Sequence, residues 1–153
     1  MQAHESILNH FLVEIFNEIL KTEDLYIAQA GFPNLSSREL HVIEAVCNAE
    51  DHSEDNRSAS IAKQLRITAG TLTTSVNILE KKGYLYRQRD DRDKRVVRIF
   101  ATELGRIANR AHEAFHREMV DDILQTLTEE EATVFVRALS SVSAFFRAKY
   151  ESK

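Results

Sequence analysis

Two helical patterns separated by a two-residue turn, and followed at once by two basic strand patterns, constrain this chain more than any other feature. Residues 60–65 and 68–82 carry helix-spaced apolar side chains. The segments flanking Asp90-Asp91-Arg92-Asp93-Lys94-Arg95 alternate as strands. A short helix, a tight turn, a longer helix and a charged hairpin, in that order, predict a winged helix-turn-helix. In that module the second helix fits the major groove of DNA and the hairpin reaches the neighbouring minor groove.

The charge layout points the same way. Residues 57–98 hold 11 Lys and Arg against 4 Asp and Glu, so of the chain's 20 basic and 24 acidic residues, 9 and 20 lie elsewhere. The net charge of −4 therefore hides a basic patch on an acidic body. Such a patch suits a polyanion, because neutralising phosphates releases counterions while the acidic remainder limits indiscriminate binding. The competing reading is a solvated, charged hairpin with no partner.

A chain of 153 residues, 43% of them apolar, is long enough for one domain with a buried core. With one proline and four glycines it has few helix breakers, and only the segment after Tyr84 alternates like strands, so the fold is expected to be mainly α. No apolar run reaches the roughly 18 residues of a membrane span, and residues 1–5 lack the basic start of a secretion signal. A cytoplasmic protein with no membrane partner is expected. The single cysteine, Cys47, fits a reducing compartment and a core position rather than an oxidant sensor.

Leu8, Phe11, Leu12, Ile15 and Ile19 recur at helical spacing, predicting a helix over 6–28. Ser36 and Glu39 have capping-box spacing and open a helix to about Asn48, whose inner face is Leu40, Ile43, Val46 and Cys47. The acidic loop 50–56 is expected to be mobile. Thr102 is expected to cap a helix to about Leu127, and Thr128 with Glu131 opens a last helix to about Lys149. The wide apolar stripe of these two (Val120, Ile123, Leu124, Leu127; Val134, Phe135, Leu139, Val142, Phe145, Phe146) needs a cover. Either a second copy of the chain or an internal core supplies it; a two-fold homodimer would also set two reading helices about 34 Å apart on palindromic double-stranded DNA. The expected organisation is a single domain over 1–153, with a winged helix-turn-helix lobe at 36–101 and dimerisation helices at 1–30 and 102–153.

Within the second helix of the motif Thr68 stands at the cap, and Leu72, Val76 and Leu79 face inward. That leaves Gly70, Thr71, Thr73, Thr74 and Asn77 toward base edges, short groups that permit close approach. Lys81, Lys82, Arg87 and Arg89 are expected to hold phosphates. Asp93 is placed to brace Arg95 two residues on, projecting its guanidinium into the minor groove, and Arg92 is a second candidate.

These residues carry a resemblance. The reading helix ending in LEKKGYL, the wing RDDRDKRVVRIFAT and the following ELG resemble the MarR family of dimeric winged-helix regulators, whose wing shares the Asp-x-Arg matched by Asp93 and Arg95. Ala101-Thr102 departs from the Leu-Thr usual there. More narrowly, AGTLTTSVNILEKKGYL with IFNEIL (15–20), RELHVIEAV (38–46) and HEAFHREMV (112–120) is similar to the family's fatty-acid-synthesis repressors. The resemblance implies a homodimeric repressor, no catalytic residues, no cofactor, and acylated acyl carrier protein or a long-chain acyl ligand as corepressor. Phe11, Ile15, Ile19, Leu40, Ile43 and Phe115 are the candidate acyl lining, and Arg38, Arg106 and Arg110 the candidate docking cations for an acidic carrier. His112-Glu113-Ala114-Phe115-His116 also fits H-E-x-x-H, the zinc-protease pattern, but lacks the Gly and third His that would extend it. Zinc-sensing members of the family suggest instead a regulatory site from Glu39, His41, His112 and His116; plain surface or pocket-lining histidines are the other reading.

Overall fold

A computed structural model describes residues 2–150. Helix α1 (Gln2–His10) passes through a π-helical turn at Phe11–Ile15 into α2 (Phe16–Gln29). The chain reverses at Gly31, whose φ of +103° is one that a side chain would resist. Helix α3 (Ser37–Asp51) opens with the expected reciprocal cap: Glu39 N–H donates to Ser36 Oγ at 3.3 Å, and Ser36 N–H donates to Glu39 Oε2 at 2.9 Å. Asp24 binds this helix start from α2, accepting from Ser37 N–H and Oγ–H.

Helix α4 (Ser58–Leu65) ends where Arg66 turns left-handed, and α5 (Ala69–Lys81) follows under the Thr68 cap. Its far end closes on Gly83, at φ +84°: Gly83 N–H donates to Glu80 O and Tyr84 N–H to Leu79 O, which consumes carbonyls the helix would otherwise leave bare. Strands β1 (Leu85–Arg89) and β2 (Val97–Ala101) form an antiparallel hairpin with Leu85 opposite Ala101 and Arg89 opposite Val97. The core beneath α3, α4, α5 and this hairpin is Leu40, Ile43, Val46, Ile61, Leu72, Val76, Leu79, Leu85 and Ile99. Burying each such side chain contributes about 1.5–3 kcal/mol.

The segment 50–56, expected to be a mobile loop of polar groups outside the core, is bonded to β2 at both of its ends. Asn56 is buried and donates to Ile99 O at 3.0 Å, and Glu50 accepts from Ala101 N–H at 2.6 Å. Polar side chains enter this part of the core because the β2 backbone offers them partners.

Two compact units divide the chain within α6 (Glu103–Gln125), one ending at Phe115 and the other beginning at His116. In the first, Thr102 caps α6, donating to Gly83 O at 2.6 Å and accepting from Gly105 N–H at 3.1 Å. The second holds the rest of α6 and α7 (Glu129–Tyr150), which opens with the expected Thr128–Glu131 capping box. Val120, Ile123, Leu124, Val134, Leu139, Val142, Phe145 and Phe146 of this unit are exposed, as are Ile7, Leu8 and Leu12 of α1. Among the described residues no helix is long and apolar enough to cross a membrane.

Candidate nucleic-acid interface

Helix α5 buries Leu72, Val76 and Leu79 and leaves Gly70, Thr71, Thr73, Thr74 and Asn77 outward. Thr68 Oγ1 accepts from Thr71 N–H at 3.1 Å. Thr73 and Thr74 donate their hydroxyl protons back to Ala69 O and Gly70 O, at 2.9 and 3.1 Å. What they present outward is therefore acceptor lone pairs and methyl groups, the latter matched to thymine methyls. A Cβ built on Gly70 meets nothing nearer than Thr68 Oγ1 at 4.0 Å, so the protein's own packing does not require glycine there. The open space lies on the outer face.

In the wing, Arg95 pairs with Asp93 through two bonds of 3.2 and 3.3 Å, and its side chain is 92% exposed. This guanidinium holds the Asp93 carboxyl below the ordinary carboxylate range. Asp90 organises the turn itself. It accepts from Arg92 N–H at 2.8 Å and from Arg98 Nε at 2.7 Å, and Arg98 holds its pKa down to about 2. Arg89 reaches Lys94 O at 3.3 Å, while Lys81 and Arg92 are exposed.

Reading helix and wing meet around one groove of about 500 Å³, lined by Arg57, Ser58, Ser60, Thr73, Arg87, Arg95 and Val97 among others. Arg57 is an addition to the expected set. Asp55 fixes it through a bidentate pair and also accepts from Ser60 Oγ at 2.5 Å. The sequence signal is Asp55-x-Arg57, the same spacing as Asp93-x-Arg95 in the wing.

Two expected phosphate ligands are committed elsewhere. Lys82 Nζ donates to Asn34 O at 2.5 Å and to Glu39 at 2.8 and 3.0 Å, bracing the end of α5 against the start of α3. Arg87 donates to Glu80 Oε2 at 2.7 Å and to Asn77 Oδ1. Arg106 and Arg110, expected as docking cations, are also paired: Arg106 with Glu50 and Asp51 at 2.9 and 2.8 Å, Arg110 with Glu103 at 3.4 Å. Arg38 lies at the surface beside His41 and Val42.

Of the candidate acyl lining, Leu40, Ile43 and Phe115 are buried, and Phe115 rests on Tyr26 with ring centroids 5.3 Å apart. Ile19 is half-buried, and Phe11 and Ile15 are exposed. The histidine motif also lies differently from the protease pattern. His112 has no exposed surface and bonds Glu23, itself 1% exposed. Glu113 accepts instead from Asn109 Nδ2 at 3.0 Å, and His116 belongs to the second unit. Glu39 is spent on the cap and Lys82, and Glu23 takes its place: with His41 and His112 it brings one ligand atom from each of α2, α3 and α6 within 4.8 Å of one another. Nothing in the spacing of three residues on three helices announces such a cluster.

The MarR family model matches residues 35–97. FabT of Streptococcus pneumoniae, solved in complex with DNA, is 35% identical, superposes with a TM-score of 0.86, and aligns over 94% of this chain and 98% of its own. The chain belongs to the MarR family. YwhA of Bacillus subtilis, described as an HTH-type transcriptional regulator, is 29% identical over 83 residues, 54% of this chain and 60% of YwhA. The Lactococcus lactis zinc-responsive MarR family member ZitR is 26% identical over 74% of this chain and 77% of its own, with a TM-score of 0.57. As a MarR-family chain with a winged helix-turn-helix, this is a DNA-binding transcriptional regulator and not an enzyme.

Proposed function

We propose that this regulator represses fatty-acid-synthesis genes, binding a palindromic duplex as a homodimer in the cytoplasm, with acylated acyl carrier protein as the ligand that tightens binding. Near-whole-length likeness to FabT supports the reading, added to the segments shared with fatty-acid-synthesis repressors. Helix α5, 13 residues and so about 20 Å long, suits the major groove, and Arg95 at the wing tip suits the narrow minor groove. The exposed apolar faces of α1 and α7 are the surfaces that a second copy would cover.

Leu40, Ile43 and Phe115 are packed, so an acyl chain reaches them only by displacing neighbours such as Tyr26. Ligand and packing rearrangement are then one event, and a typical coupling of about 1–3 kcal/mol raises operator affinity roughly 5- to 150-fold. The test selects an operator from random duplexes and titrates long-chain acyl carrier protein against it. Tightened binding that Phe115→Ala abolishes is the expected result; an operator affinity indifferent to the acylated carrier ends the reading.

The Glu23, His41 and His112 cluster favours a second reading, control by zinc. A carboxylate and two imidazoles are the donor set that Zn²⁺ takes, and they join three helices. This reading expects chelation to weaken operator binding and Glu23→Gln to reproduce the chelator's effect. Zinc and acylated carrier, titrated separately, discriminate the two.

A further inference from the structure

Arg87 lies where a phosphate ligand is expected, yet its half-buried guanidinium is held along the reading helix. Glu80, one turn beyond Asn77 on α5, accepts from Arg87 backbone N–H at 2.7 Å and from Arg87 Nη2 at 2.7 Å. The same Nη2 donates to Asn77 Oδ1. Strand β1 and helix α5 are thus laced by a carboxylate, a guanidinium and an amide, with the positive charge matched by Glu80.

A guanidinium carries donors only, so whatever bonds to it must be an acceptor. The amide oxygen of Asn77 is therefore the atom that faces Arg87, and the amide NH₂ is the end that faces away. Asn77 is exposed and stands one helical turn after Thr73, which lines the groove. An unrestrained asparagine reads adenine through both ends of its amide, accepting from N6 and donating to N7. Here one of the oxygen's two lone pairs is taken and the bond turns that oxygen toward β1, so the amide presents its NH₂ end outward.

Resting on the DNA-reading role of α5, we propose that Arg87 is a positioning residue that makes Asn77 read bases through its NH₂ donor. Asn77 then selects base edges rich in acceptors, N7 and O6 of guanine or O4 of thymine. It discriminates against the amino groups of adenine and cytosine. Specificity at that base pair is set by a side chain that touches no base.

Operators are selected from randomised duplexes with wild type, Asn77→Ala, Arg87→Ala and the double variant. Asn77→Ala identifies the base pair concerned by relaxing it, and wild type holds guanine or thymine there. Arg87→Ala shifts that one position toward adenine by roughly fivefold or more, and the shift vanishes in the double variant. The log-log salt slope of Arg87→Ala stays at the wild-type value, because its charge does not reach a phosphate. Asn77→Asp keeps the bond to Arg87 but has no donor, and it should turn the preference toward cytosine; this variant decides the matter if Arg87→Ala does not fold. An unchanged base preference in Arg87→Ala or in Asn77→Asp overturns the proposal, and so does a slope that falls by about one. Wild type binding no duplex would overturn the DNA reading and the proposal with it.

Discussion

Alanine at Gly105 tests how α6 is seated on the winged lobe. A Cβ there stands 2.2 Å from Tyr84 O and 3.2 Å from Tyr84 C. Carbon and oxygen settle at about 3.3 Å or more, so α6 must retreat by roughly 1 Å. That retreat also stretches the Thr102 hydroxyl away from Gly83 O and from Gly105 N–H. Overpacking against backbone costs about 3 kcal/mol, and the helix preference of alanine over glycine returns about 1, leaving a net loss of roughly 2 kcal/mol. For a chain of this length the melting temperature should fall by about 4–8 °C. The assay is thermal unfolding followed by circular dichroism at one fixed protein concentration, since association shifts the midpoint. Gly70→Ala is the control: its Cβ meets open space, so it should melt at or slightly above wild type while binding operator more weakly. A Gly105→Ala protein as stable as wild type would refute the close seating of α6 on Tyr84.

Further outcomes follow from the wing and the core. Arg95→Ala should weaken binding to every duplex and lower the log-log salt slope by about one for a lost phosphate-type contact; an unchanged slope removes the wing tip from the interface. Asp90 is held down to about pKa 2 by Arg98, so its contribution to stability is whole above its ordinary value and is lost as pH falls toward 2. The stability gap between wild type and Asp90→Asn should accordingly be full at about pH 5 and close on acidification; a gap independent of pH contradicts the pairing. Burial pushes the Cys47 thiol up to about 11, so iodoacetamide at pH 8 should label it only after unfolding, and ready labelling of the folded protein would place it elsewhere.

Local signals made the elements legible. Ser36 with Glu39, Thr68, Thr102, and Thr128 with Glu131 are short-range caps, and each was read from the sequence and occurs in the structure. Leu72, Val76 and Leu79 were legible as a core face because helical period decides which side is buried. Harder to read were the pairings that the fold makes between elements, several of them between residues remote in sequence. Lys82 is 43 residues from Glu39, and Glu23 is 89 from His112. Charge alone suggested phosphate ligands in Lys82 and Arg87, but an ammonium or guanidinium goes to whichever carboxylate the fold brings nearest. Asn56 was misread for the same reason, since its acceptor, Ile99 O, lies across the lobe.

The far end of α5 is bolted by Lys82 to Asn34 and Glu39, whereas the side-chain cap at its start, Thr68, bonds within the helix's own first turn. Measured from that brace, Gly70 and Thr71 lie at the far end of the helix. Over an arm of about 20 Å, a swing of roughly 10° carries the tip by about 3.4 Å, and that is the rise of one base-pair step. A ligand need not unseat the lobe to change its affinity for an operator; a slight tilt would shift the exposed threonines by one step along a duplex.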